Sequence, residues 1–97
     1  MADICTHLDQ IHVRSSSAAG CEECLAVGDT WVHLRLCVGC GRVGCCDNSK
    51  NHHATRHYQQ SGHALIRSYE PDESWWWCYV DEVGFELQGV EPARAGG

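Results

Sequence analysis

The sequence predicts a small α+β domain in which one main helix packs on a short antiparallel sheet. Three observations lead to it: several short stretches of strand-like alternation or composition, a single polar stretch with helix punctuation, and a thin aliphatic interior beside eight cysteines and seven histidines. Phe85 is the only phenylalanine, and Leu, Ile and Val are scattered through the 97 residues. That length suits one domain. At this size apolar burial has little margin over a conformational entropy cost of about 1–2 kcal/mol per residue, so the thiols and imidazoles must help to hold the fold.

The elements follow in chain order. Ser15 to Gly20 is a small-residue loop. Trp31 to Leu36 alternates, with Val32, Leu34 and Leu36 on one face, and reads as a strand. His33 then points away from the apolar face. A helix runs from about His52 to Gln60, with Asn51 as its cap and Gly62 just past its end. Ala64 to Tyr69 is the next strand, stopped by Glu70-Pro71-Asp72, and Trp75 to Val80 is strand-like in composition. Phe85 to Leu87 forms a short last strand. The domain is read as residues 1–90, followed by a frayed tail over 91–97 that ends in Gly96-Gly97.

Composition narrows the partners. The formal charge is −6 and Lys50 is the only lysine, whereas a protein that neutralises phosphates needs a basic face. No apolar run approaches the ~20 residues of a membrane helix, and Met1 to Leu8 lacks the apolar centre of a secretory signal. The expectation is a whole, monomeric, cytosolic protein with neither nucleic acid nor membrane as partner. Disulfide scaffolds belong to secreted chains, and they have no use for histidines at regular offsets. The cysteines are therefore read as metal ligands.

Two Cys-x-x-Cys pairs carry that reading, Cys21 with Cys24 and Cys37 with Cys40. This spacing makes a tight turn that aims both sulfurs at one ion. His53 and His57 are four apart and share a helix face. His63 follows the helix end, and Cys45 lies between the second pair and the helix. Cys5 and His7 alternate on an extended segment. Cys78 and Asp81 have knuckle spacing, with a carboxylate in the fourth place. Seven cysteines, four histidines and Asp81 make twelve ligands, enough for three tetrahedral zinc ions. Four protein ligands per ion leave no position open for water, the mark of structural zinc. Cys46 and His52 neighbour assigned ligands and are read as non-ligands, as are His12 and His33. Spacing alone does not say which ligands share an ion.

The segment from Cys37 to Leu65, CVGCGRVGCCDNSKNHHATRHYQQSGHAL, resembles the ubiquitin-protease-type (UBP-type) zinc finger. The likeness lies in the Cys pair, the further Cys, the His-Ala-x-x-His-Tyr helix start and Ser-Gly-His. It extends from about Cys5 to Val83 through Cys-x-His and the late Trp-Cys-Tyr, as in a small, stand-alone prokaryotic-like member. The resemblance implies cross-braced sites: Cys21, Cys24, Cys45 and His53 in one; Cys37, Cys40, His57 and His63 in another; and Cys5, His7 and Cys78, with Asp81, in a third that ties the chain ends. Asp81 stands where the family usually carries cysteine; its other reading is a solvated turn aspartate.

The resemblance also implies a binding role. Many family members hold the Gly-Gly tail of ubiquitin between aromatic walls and an arginine, and Trp77 and Tyr79 match the aromatic positions. Core packing is the competing reading for both. The family's arginine position holds Asp47, after Cys45-Cys46, and Arg35 replaces an expected aromatic. These departures argue against the ubiquitin tail as ligand. The expected function is a non-catalytic binding module for a peptide terminus or small acidic ligand, with Trp77, Tyr79 and Arg35 as ligand-binding residues. A purely scaffolding zinc protein is the alternative. A zinc hydrolase is a minor one, since no His-Glu-x-x-His is present.

Overall fold

The computed structural model describes residues 10–70, 73–86, 90 and 93. Cys5, His7, Leu87 and residues 94–97 lie outside the described residues, and with them the expected terminal metal site's first two ligands and the Gly-Gly end. The described elements are α1 (Glu22–Val27), β1 (Leu34–Cys37), β2 (Val43–Cys45), α2 (His53–Ser61), β3 (Leu65–Ser68), β4 (Trp76–Cys78) and β5 (Val83–Phe85). The strands form one antiparallel sheet in the order β2-β1-β3-β4-β5. The expected α+β class, with a short antiparallel sheet and a principal helix, is the observed one.

Strand alternation gives the sheet two different faces. On one, Leu36, Arg67, Trp76 and Phe85 follow one another across four strands. Leu34, Leu36, Leu65 and Trp76 are buried there with Tyr69. The N-terminal segment closes over this side. Val38 accepts hydrogen bonds from the amides of His12 and Val13 (2.8 and 2.9 Å). The Tyr69 hydroxyl donates to the carbonyls of Ser16 and Ala18 (3.0 and 2.8 Å). Arg67, although charged, is buried with its guanidinium over the Trp76 ring and donates to the Arg14 carbonyl at 2.7 Å. Ala93, which the sequence reading assigns to the tail, is buried in this core, and its carbonyl accepts the Ser16 amide at 2.7 Å.

On the opposite face, Gly44, Arg35 and Ser68 lie in one row and Cys37, Ile66, Trp77 and Gly84 in the next. Helix α2 rests on the β2 end of this face at Gly44, where a Cβ would stand 2.8 Å from the Ala54 nitrogen. No other residue lets the helix backbone lie so close. The rest of the face, around Arg35, Ile66 and Trp77, is left to form a pocket.

Several local expectations need correction. Asn51 does not cap α2: its amide donates to Asp29 Oδ2 (2.9 Å), and His52 takes the cap position in a left-handed conformation (φ 36°). Val32 lies before β1 and is exposed, because the strand begins only at Leu34. The last strand starts two residues earlier than expected, at Val83. Helix α1 and strand β2 have no counterpart in the sequence reading. Both are short and carry metal-type residues where an apolar pattern would be sought.

Candidate metal centre and pocket

Two groups of Cys and His side chains converge in the fold. The first joins Cys21, Cys24, Cys45 and His53, the second Cys37, Cys40, His57 and His63, and within each group the potential ligand atoms lie within 4.8 Å of one another. These are the two groupings that the resemblance implies from the sequence.

The donor geometry can be tested against an ion. Zn–S near 2.3 Å and Zn–N near 2.0–2.1 Å in a tetrahedron set S···S at about 3.8 Å, S···N at about 3.6 Å and N···N at about 3.4 Å. In the first group Cys24 and Cys45 are 3.9 Å apart, and His53 Nδ1 lies 3.2, 3.4 and 3.6 Å from the sulfurs of Cys21, Cys24 and Cys45. In the second, Cys37–Cys40 is 3.8 Å, Cys40–His57 Nε2 is 3.3 Å, Cys37–His63 Nδ1 is 3.6 Å and the two histidine nitrogens are 3.4 Å apart. Both groups fit a tetrahedral zinc ion. None of Cys21, Cys24, Cys37, Cys40, Cys45 and Cys46 is in a disulfide.

Local structure explains how each donor is aimed. Cys21 is the N-cap of α1, and its sulfur accepts the Cys24 amide (3.4 Å). The left-handed His52 turns the chain so that the His53 amide, first in α2, donates to Cys45 Sγ at 3.2 Å. Asn51 Nδ2 lies 3.7 Å from Cys24 Sγ. The second imidazole nitrogen of His53, Nε2, meets Glu23 Oε2 at 3.2 Å, which orients the ring with Nδ1 toward the sulfurs. Glu23 also pairs with Arg42 at 3.2 Å. In the second group, Gly39 fits between its cysteines, where a Cβ would come 3.0 Å from the His63 ring.

The electrostatics call for a cation. Burial pushes the Cys21 thiol up to about 12 and the Cys37 thiol up to about 11, and it raises Cys45 as well. Clustered thiolates without a positive centre are disfavoured, and an ion that binds them displaces protons. Burial, and then the charges of His63 and Arg42, hold His57 below its ordinary value, so it stays neutral with a lone pair to donate.

Cys78 is buried, and its sulfur accepts the Asp81 amide at 3.4 Å, as Cys21 accepts that of Cys24. Cys78 and Asp81 therefore share a knuckle-type turn, while their expected co-ligands Cys5 and His7 lie outside the described residues. Cys46 and His52 stand apart from both groups: the Cys46 thiol is 3.5 Å from Ser49 Oγ, and His52 Nδ1 is 3.3 Å from the Asp47 carbonyl.

The pocket on the second sheet face has a volume of about 260 Å³, and its walls include Arg35, Asp47, Ile66, Trp75, Trp77 and Tyr79. All three sequence-derived ligand-binding candidates, Trp77, Tyr79 and Arg35, line it. The triple tryptophan divides by strand alternation: Trp76 enters the core, and Trp75 and Trp77 face the pocket. The Arg35 guanidinium lies 4.5 Å from the centre of the Trp75 ring and donates to the Leu34 carbonyl at 2.9 Å. Tyr79 stacks on Tyr58 of α2 (4.5 Å, 8°), and its hydroxyl is 3.1 Å from that of Thr55. Sequence reasoning missed the roles of Trp75, Glu23 and Gly44. The period of two through Trp75-Trp76-Trp77 is the signal that could have found the first.

A small α+β unit with two four-donor thiolate–imidazole groups is a cross-braced zinc finger. The sequence matches the family profile described as Zn-finger in ubiquitin-hydrolases and other protein over residues 21–87, and the chain belongs to that family. It binds zinc through a domain of this type. The chain is also similar to the solution structure of protein RPA1320 from Rhodopseudomonas palustris. The identity is 51% and the TM-score 0.84, covering 99% of this chain and 94% of that one. The search of curated proteins finds no match. Among the described residues no helix is long and apolar enough to cross a membrane.

Proposed function

We propose that this zinc finger is a non-catalytic, monomeric binding module that captures the carboxylate end of a peptide or small acidic ligand in the Arg35–Trp77–Tyr79 pocket. In this reading one zinc ion is held by Cys21, Cys24, Cys45 and His53, a second by Cys37, Cys40, His57 and His63, and a third by Cys5, His7, Cys78 and Asp81. Structural zinc contributes about 10–16 kcal/mol in small finger peptides, and here it replaces core that the chain does not have. Four protein donors in each described group leave no place for a zinc-bound water, which supports a binding role over hydrolysis. Zinc-ligating thiolates must be kept from oxidation, which suits a reducing compartment such as the cytosol.

One observation carries the ligand: an arginine, pre-positioned by a carbonyl and an aromatic ring, faces a cavity with tryptophan and tyrosine walls. A guanidinium held in this way keeps donors for a carboxylate, and aromatic walls restrict what can stand beside it. The test is NMR titration of the zinc-loaded protein with an N-acetylated peptide ending in Gly-Gly, followed at the Trp75 and Trp77 indoles. Saturable shifts that vanish with the C-terminal amide or with Arg35→Gln are expected. Absence of shifts at millimolar peptide defeats the reading and leaves a scaffolding role.

A further inference from the structure

Arg35 and Asp47 both face the same cavity, yet no ion pair joins them among the described residues. Each is fastened elsewhere. Arg35 is held by the Leu34 carbonyl and by stacking on Trp75, while Asp47 Oδ1 accepts the Thr55 hydroxyl at 2.6 Å. Thr55 is on α2 and Arg35 on β1, so the two charges are anchored on different elements. Arg35 and Asp47 are the cation and the carboxylate among the pocket's lining residues.

A simple anion entering this space gains the guanidinium but meets the carboxylate. A ligand with one charge of each sign gains both. Tyr79, beside Asp47, adds an aromatic wall near the negative end, a surface that suits an ammonium group.

We infer that the pocket selects a small zwitterion, with the ligand's carboxylate on Arg35 and its ammonium on Asp47. This inference rests on the proposal that the pocket is the binding site, and it narrows the ligand from acidic to dipolar. Amino acids and short peptides with both ends free belong to the class.

The test uses three probes on the zinc-loaded protein: glycylglycine, N-acetylglycylglycine and glycylglycinamide, each titrated by NMR at the tryptophan indoles. Glycylglycine should bind at least about threefold more tightly than either derivative, the scale of a partly exposed charge pair. Asp47→Asn should abolish its advantage over the acetylated form and preserve its advantage over the amide. Zinc content and the backbone amide spectrum check that this variant is folded. If the acetylated form binds the native protein as well as glycylglycine does, the zwitterion inference is overturned and the carboxylate pocket survives. If none of the three moves the indoles while the spectrum stays native, the inference is overturned together with the pocket reading.

Discussion

The two metal groups are built from the same kinds of residue in very different surroundings. Cys21, Cys24 and Cys45 are fully buried, and the sulfurs of Cys21 and Cys45 accept the backbone amides of Cys24 and His53. Cys40 of the second group is exposed, and its partners His57 and His63 are only part-buried. The first group also ties three elements, α1, β2 and α2. The difference teaches that the first site joins α1, β2 and α2 from the interior, and the second joins the end of β1 and the turn after it to α2 nearer the surface.

Cys45→Ser offers the strongest way to break this comparison. It removes a donor from the buried site and should abolish cooperative thermal unfolding, whereas Cys40→Ser should leave a folded domain with one ion fewer. Circular dichroism melts and native mass spectra check both, and equal damage from the two would remove the distinction. The same contrast predicts that a competing chelator first shifts the amide signals around Cys40, His57 and His63, and later those around Cys21, Cys24 and Cys45. Simultaneous loss would contradict it.

The glycines sharpen the contrast at a smaller scale. Gly44→Ala drives a methyl group into the backbone of Ala54 and His53, which cannot swing aside, so a loss of about 1–3 kcal/mol is expected in denaturant unfolding. At Gly39 the nearest atoms belong to the His63 ring, so Gly39→Ala should loosen zinc in the second group more than it lowers global stability. Glu23→Gln weakens the acceptor on His53 Nε2 and should speed zinc transfer from the first group by about tenfold, read with a chromogenic chelator. The smallest effect is expected for His52→Gly. That position is left-handed, where glycine carries no Cβ penalty, so a gain of up to about 1 kcal/mol is expected in the same unfolding assay.

Much of this was legible because zinc chemistry writes itself in fixed spacings. Two Cys-x-x-Cys pairs and His53/His57 mark a metal domain, and the resemblance then indicates which ligands belong together. The strand around Leu34–Leu36 was legible from alternation, that at Leu65–Ser68 from an apolar start and the Glu70-Pro71-Asp72 stop, and that at Trp76–Cys78 from composition. Helix α1 was not: six residues starting from a metal-type cysteine have no apolar periodicity, and the helix is held by its capping sulfur and Gly28. Asn51 looked like a cap because its residue type fits that position, but its amide goes to Asp29. The pocket's charge pair was hidden for a different reason. Arg35 and Asp47 come from separate elements, and only the turn after β2 brings them to one cavity.

The order of donors along the chain has a consequence for biosynthesis. Cys21 and Cys24 belong to one group and Cys37 and Cys40 to the other, and the partners then arrive as Cys45, His53, His57 and His63. A polypeptide cut before His53 owns neither full set, so the threads cannot be separated into two independent halves. A growing chain must keep both thiol pairs reduced and unspent until the helix has left the ribosome.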